Sequence, residues 1–211
     1  DTPNLDALLA EYGMTRQEGL VIENDSNYYA YRYPQTYLLP SLSSNDITAG
    51  ITDGMYVFTP VAQGIVKGDS TDDLTLTTLL STSSTAYAMQ DYAEATTAEQ
   101  GANDPNGPFN IAVAASNSAT GAKVVWVNCP NMLNSQMNSA VSGGNAQLLT
   151  SAVNWMTGEE NGVVIDSKSM SAETLTVPAK ATMLLGLLFT IVVPLAFIVA
   201  GIAITLVRRR R

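Results

Sequence analysis

The chain has 211 residues, with 10 basic and 19 acidic side chains, no histidine and a single cysteine, Cys129. The missing histidine excludes histidine-containing triads, most zinc sites and the usual neutral-pH general base. One cysteine excludes an internal disulfide. All 19 acidic residues precede Lys180 beside six basic ones, a net −13, whereas Arg208, Arg209, Arg210 and Arg211 close the chain at +4. So acidic a surface repels phosphate backbones, and nucleic acid is not an expected partner.

Residues 3–12 (PNLDALLAEY) place Leu5, Leu8, Leu9 and Tyr12 at helical spacing, with Gly13 as the stop. Residues 19–23 (GLVIE) read as a short strand, and the tyrosine-rich 24–36 as a loop with partly buried rings. Asp46 is read as the cap of a short helix through about Thr52. Met55-Tyr56-Val57-Phe58 reads as a compact strand ended by Pro60, and 74–81 (LTLTTLLS) as a longer one. Residues 82–107, rich in Ser, Thr, Ala and Asn and ending in NDPNG, read as an exposed segment.

Phe109 to Ala115 and Ala122 to Val127 are apolar without alternation, the pattern of central strands covered on both faces. The SNSATG turn between them makes the pair antiparallel. After a polar stretch, Gly144-Asn145 opens a helix whose stripe holds Ala146, Leu148, Leu149, Ala152, Val153, Trp155 and Met156, ending at Gly158. Val163-Val164-Ile165 supplies a last short strand. Strands and helices together predict a layered α/β fold with a mixed sheet over residues 1–166, then a juxtamembrane linker, 167–180.

Residues 181–207 (ATMLLGLLFTIVVPLAFIVAGIAITLV) carry no charge. At about 1.5 Å per residue, such a helix reaches roughly 40 Å, enough to cross a hydrocarbon core of about 30 Å. Pro194 lies mid-span, where a kink is expected. Gly186 and Gly201 are too far apart for a GxxxG pair. Arginines 208–211 make a basic cytoplasmic tail, so the lipid bilayer is a partner and the acidic domain lies outside the membrane's cytoplasmic face. A leading domain this large requires a targeting element, and Asp1 is therefore read as an internal start.

Thr82-Ser83-Ser84 and Asn128-Cys129-Pro130-Asn131 each follow a predicted strand. Ligands in open α/β sheets sit beyond the carboxyl ends of strands, which makes Ser83, Ser84, Asn128 and Asn131 the candidate crevice. Small hydroxyl and amide residues also cap turns, and that bland reading is the favoured one. Cys129 lacks a histidine partner and reads as a core residue. The carboxylate runs Asp72-Asp73 and Glu159-Glu160 read as solvated surface. No GxGxxG, P-loop or GxSxG pattern is present, so no catalytic residue, metal or cofactor is expected.

Several patches taken in order resemble GldG-type auxiliary subunits of bacterial ABC transporters, a gliding-motility-associated family: TPNLDALLAEYG with GLVIE, DITAGI at 46–51, MYVFTPVAQGI at 55–65, LLSTSS, GPFNIAVAA, AKVVWVN, GNAQLLTSAVNWMTGEE at 144–160, and the terminal span. The resemblance implies an incomplete flavodoxin-like or amidotransferase-like domain without established catalysis, lacking the family's N-terminal membrane helix and opening strands. It implies an ABC-2-type permease and its ATPase as partners. The chain departs from the family where Asn45-Asp46 replaces a histidine-proline, and where residues 128–131 replace an acidic turn. A membrane-tethered hydrolase or amidotransferase-like enzyme is the alternative expectation. A cell-wall adhesin is weaker, since 175–180 (LTVPAK) holds no LPxTG-like motif.

Overall fold

The computed structural model describes residues 2–30, 32, 34–158 and 179–209. Its centre is the strand Asn110–Asn117, where Ile111 to Ala115 are all buried. Burial on both faces follows from the run IAVAA, which has no polar alternation. In chain order the elements are α1 (Pro3–Glu11), β1 (Met14–Arg16), β2 (Leu20–Ile22), β3 (Tyr37–Leu38), β4 (Ser41–Leu42), β5 (Thr59–Pro60), β6 (Ile65–Lys67), β7 (Leu74–Ser81), β8 (Tyr87–Met89), β9 (Asn110–Asn117) and β10 (Lys123–Val127). A 3₁₀ turn at Pro130–Leu133 leads into α2 (Ser135–Ala140) and α3 (Gly144–Thr157). The apolar tail follows as α4 (Ala179–Leu187), a π-helical stretch Leu188–Val192 and α5 (Val193–Arg209).

The main sheet runs β1-β6-β9-β7-β4, with β10 also on β9; β2–β8 and β3–β5 are separate ladders. Every described pairing is antiparallel, so the expected mixed sheet is corrected to antiparallel sheets in an α/β chain. Ala112 and Ala114 of β9 share a core with Leu148 and Ala152 of α3, while Val113 and Ala115 share another with Leu9 of α1. Alternate strand residues face opposite sides, so the two helices cover opposite faces of β9. A register shift between Thr78 and Ser81 lets the consecutive Leu79 and Leu80 both be fully buried.

The predicted β9–β10 turn is present: Asn117 Oδ1 accepts from the N–H groups of Ala119 and Thr120, both at 3.0 Å. Gly121, at φ +71°, completes it in the left-handed region. β10, expected to be central, pairs among the described residues with β9 alone, and its five residues are all half-buried.

Three further expectations are corrected, and one helix was not foreseen. Residues 46–50 form hydrogen-bonded turns and no helix, held by Asn45, whose Oδ1 accepts from Ile47 and Thr48 N–H at 3.0 and 3.2 Å. The run 55–58 is not a strand. Asn145 of α3 takes up both backbone groups of Phe58, accepting from its N–H at 2.8 Å and donating to its carbonyl at 2.9 Å, where a neighbouring strand would otherwise bond. The segment 82–107 is not wholly exposed, because Tyr87, Ala88 and Met89 are buried against β2. The polar stretch after Pro130 contains α2, capped by Asn134, which accepts from Gln136 N–H.

Residues Lys180–Ile204 form one unburied stretch of helix with a mean hydropathy of 2.8, long and apolar enough to cross a membrane. At Pro194 the helix widens into a π-turn, with Val193 N–H donating to Leu188 O. A proline carries no N–H and crowds the preceding turn, and one extra residue per turn relieves that crowding. The expected strand at Val163–Ile165, the linker up to residue 178, Arg210 and Arg211 lie outside the described residues.

Candidate functional site

β7 and β10 flank β9, and both run antiparallel to it, so their carboxyl ends meet at the same end of the sheet. The two candidate loops are pinned there to the first residues of β9. Thr82 N–H donates to Phe109 O at 3.0 Å, and Phe109 N–H donates back to Thr82 Oγ1 at 2.9 Å. On the other side Asn128 N–H donates to Ile111 O at 3.0 Å. The structure thus brings the two loops to one end of the sheet.

Their side chains nevertheless turn to separate partners. Asn128 Nδ2 donates to Gly64 O at 3.2 Å, and Asn131 Nδ2 donates weakly to Pro60 O at 3.5 Å from an exposed position. Ser84 is exposed. Among the described residues, no hydrogen bond joins Ser83 or Ser84 to Asn128 or Asn131. The amides tie the loop after β10 to the chain between β5 and β6, a turn-fastening role.

Ser83 belongs to a cluster that the sequence did not disclose. Glu23, just after β2, is fully buried, and its carboxylate accepts from Ser83 Oγ at 2.6 Å, Ser83 N–H at 3.0 Å and Asp25 N–H at 2.9 Å. Ser83 Oγ in turn accepts from Thr85 N–H at 3.1 Å and lies 2.9 Å from Thr85 Oγ1. Three donors on one carboxylate satisfy most of its lone pairs, as burial of an ionised group demands. The signal in the sequence is faint: a glutamate ending an apolar run, 60 residues from its partner.

Cys129 is buried, and its thiol donates to Pro60 O at 3.2 Å. Burial pushes its pKa up to about 11, opposed by hydrogen bonds from the backbone of Met132 and Asn131. A thiol held protonated is no nucleophile at neutral pH, which agrees with its reading as a core residue. A shallow cleft of about 280 Å³ opens elsewhere, lined by Met89, Asp91, Glu94, Glu99 and Asp104 among others. Asp104 is engaged there, accepting from Gln90 N–H at 2.9 Å and Gly101 N–H at 2.7 Å. Tyr87, whose hydroxyl donates to Ala98 O, has its pKa raised by burial first and by Asp104 and Glu99 next. Among the described residues no three carboxylate or thiol groups are placed to share a metal ion.

No protein-family model matches the chain, and no curated protein matches its sequence. Among solved structures it is similar to the "mmIFT52 N-terminal domain", with a TM-score of 0.51 and 17% identity, over 76% of this chain and 60% of that one. The chain therefore spans less than two thirds of that structure's length. At such identity the likeness concerns the fold alone.

Proposed function

We propose that the chain is a membrane-anchored accessory subunit without catalysis of its own, whose acidic domain assembles with an ABC-2-type permease and its ATPase. The observation that carries this reading is the separation of grease from charge. An unburied apolar helix of 25 residues is followed by Arg208 and Arg209 and preceded by every carboxylate of the protein. A helix apolar on all sides has its favourable surroundings in lipid. Arginines at its end are retained on the cytoplasmic side, so the domain is extracytoplasmic in the cell membrane. The GldG-like patches quoted above supply the transporter context. Helices on both faces of β9 support a flavodoxin-like or amidotransferase-like layering, although the described strands are antiparallel.

Purification of the chain from its own membranes in mild detergent tests this reading. An integral permease and a nucleotide-hydrolysing subunit are expected to co-purify; recovery of the chain alone, from membranes shown to contain such a permease, would overturn it.

A second reading, a membrane-tethered hydrolase or amidotransferase-like enzyme, rests on the 2.6 Å contact between Ser83 Oγ and the buried Glu23. A carboxylate in that position is a general base for a serine nucleophile. Against it, the serine oxygen already accepts from Thr85 N–H. Labelling by a fluorophosphonate that is lost in Ser83→Ala and weakened in Glu23→Gln would establish this reading, and absence of labelling would remove it.

A further inference from the structure

Immediately after β2 the chain turns at the surface. Ile22 and Glu23 are buried, Asn24 is exposed, and Asp25 N–H donates back to Glu23 Oε1 at 2.9 Å. Asn24 therefore stands at an apex, between two residues tied to each other. A second turn follows at once: Asp25 Oδ1 accepts from Asn27 N–H at 2.9 Å, and Tyr28 N–H donates to Asp25 O at 2.9 Å. Ser26 lies in that turn, half-buried. Glu23 is the anchor beneath, since its other oxygen accepts from Ser83 N–H at 3.0 Å. Asn24 is thus presented outward from a fixed base.

We propose that Asn24 is an N-glycosylation site of the acidic domain, with Asn24-Asp25-Ser26 as the acceptor sequence. Of all the asparagines in the chain, Asn24 alone has serine or threonine two residues on, and the residue between is not proline. That spacing is the acceptor pattern for oligosaccharide transfer, and it belongs on the surface loops of exported domains. The state of the side chain agrees. Its contact engages the oxygen, with Asn24 Oδ1 accepting from Gln35 Nε2 at 3.5 Å, and not the nitrogen that becomes glycosylated. The amide nitrogen of Asn145, by contrast, is bonded to two carbonyls in the core, out of reach of a transferase.

The donor is an oligosaccharide carried on a polyprenyl diphosphate. The bond between the first sugar's anomeric carbon and the diphosphate breaks, and a bond from that carbon to Asn24 Nδ2 forms. One amide proton passes to the transferase, and polyprenyl diphosphate leaves. Because Asn24 is exposed, the added hydrophilic bulk displaces no buried side chain. This inference rests on the extracytoplasmic placement proposed above and is independent of the transporter partners.

The chain recovered from its own membranes tests it, by mass spectrometry of the tryptic peptide from Gln17 to Arg32 and by mobility on denaturing gels. The unaltered peptide is expected to be heavier by an oligosaccharide, and the chain to run more slowly. Asn24→Gln and Ser26→Ala should each abolish both shifts, whereas Ser26→Thr, which keeps the hydroxyl, should retain them. Protease accessibility of the domain in sealed cells reports its side of the membrane separately. An unmodified peptide from a domain shown to lie outside overturns the glycan and leaves the placement standing. An unmodified peptide from a domain shown to lie inside overturns both. A mass shift that survives Ser26→Ala assigns the modification to other chemistry and also overturns the proposal.

Discussion

Asn145 shows how much one buried amide can decide. Its side chain is 1% exposed and satisfies Phe58 N–H, Phe58 C=O and, at 3.1 Å, Met132 C=O. Asn145→Ala leaves three buried backbone groups without partners, at about 1–3 kcal/mol for each group left unsatisfied. A loss of about 3 kcal/mol in urea unfolding of the membrane-reconstituted chain is the expected outcome. Cys129 gives a pH test. Because the folded state holds the thiol proton up to about 11 and the unfolded chain releases it near 9.0, this group's contribution is intact below pH 9 and declines as pH rises toward 11. Cys129→Ala is expected to flatten that alkaline decline in a melting series. In the native chain the thiol should resist iodoacetamide at pH 8 and react once urea is added. The serine-glutamate contact is likewise a residue-scale feature, and Glu23→Ala is expected to be more damaging than Glu23→Gln, which keeps one acceptor oxygen.

At the scale of elements, the boundaries of α1, β7, β9, β10 and α3 were legible, because each carries its own period or its own glycine stop. The stretch at 55–58 was not. Val57 and Phe58 are buried as a strand's residues would be, but the hydrogen-bond partner of Phe58 is a side chain 87 residues away. β8 was hidden for the opposite reason: it lies in a polar segment, and only pairing with β2 buries Tyr87, Ala88 and Met89. The start of α3 is fixed by contact as well as by sequence. A Cβ added at Gly144 would run into the backbone carbonyl of Tyr56. Gly144→Ala is therefore expected to cost about 2 kcal/mol or more, read as a shift in the urea midpoint, even though alanine is the better helix former.

For the molecule as a whole, the acidic domain and the arginine-ended span are the organising pair. Replacing Arg208, Arg209, Arg210 and Arg211 with glutamate is expected to disturb orientation, seen as altered protease accessibility of the domain in sealed spheroplasts. Unchanged accessibility would count against the topology. The candidate crevice was legible only halfway. That Ser83 and Asn128 end up at one end of the sheet follows from β7 and β10 both opposing β9. That they then face different partners, Glu23 on one side and the chain before β6 on the other, depends on segments brought together from 60 and 64 residues away.

The sequence by itself determined the helix long and apolar enough to cross a membrane, its charged end, the acidic stretch before it and the antiparallel β9–β10 pair, since each of these is written in contiguous residues whose period, charge or turn chemistry acts locally. Only the tertiary structure decided that the described sheets are antiparallel throughout, and that a buried glutamate holds Ser83. Those outcomes rest on contacts between distant segments, where the geometry of approach, and not the composition of either partner, selects the bond that forms.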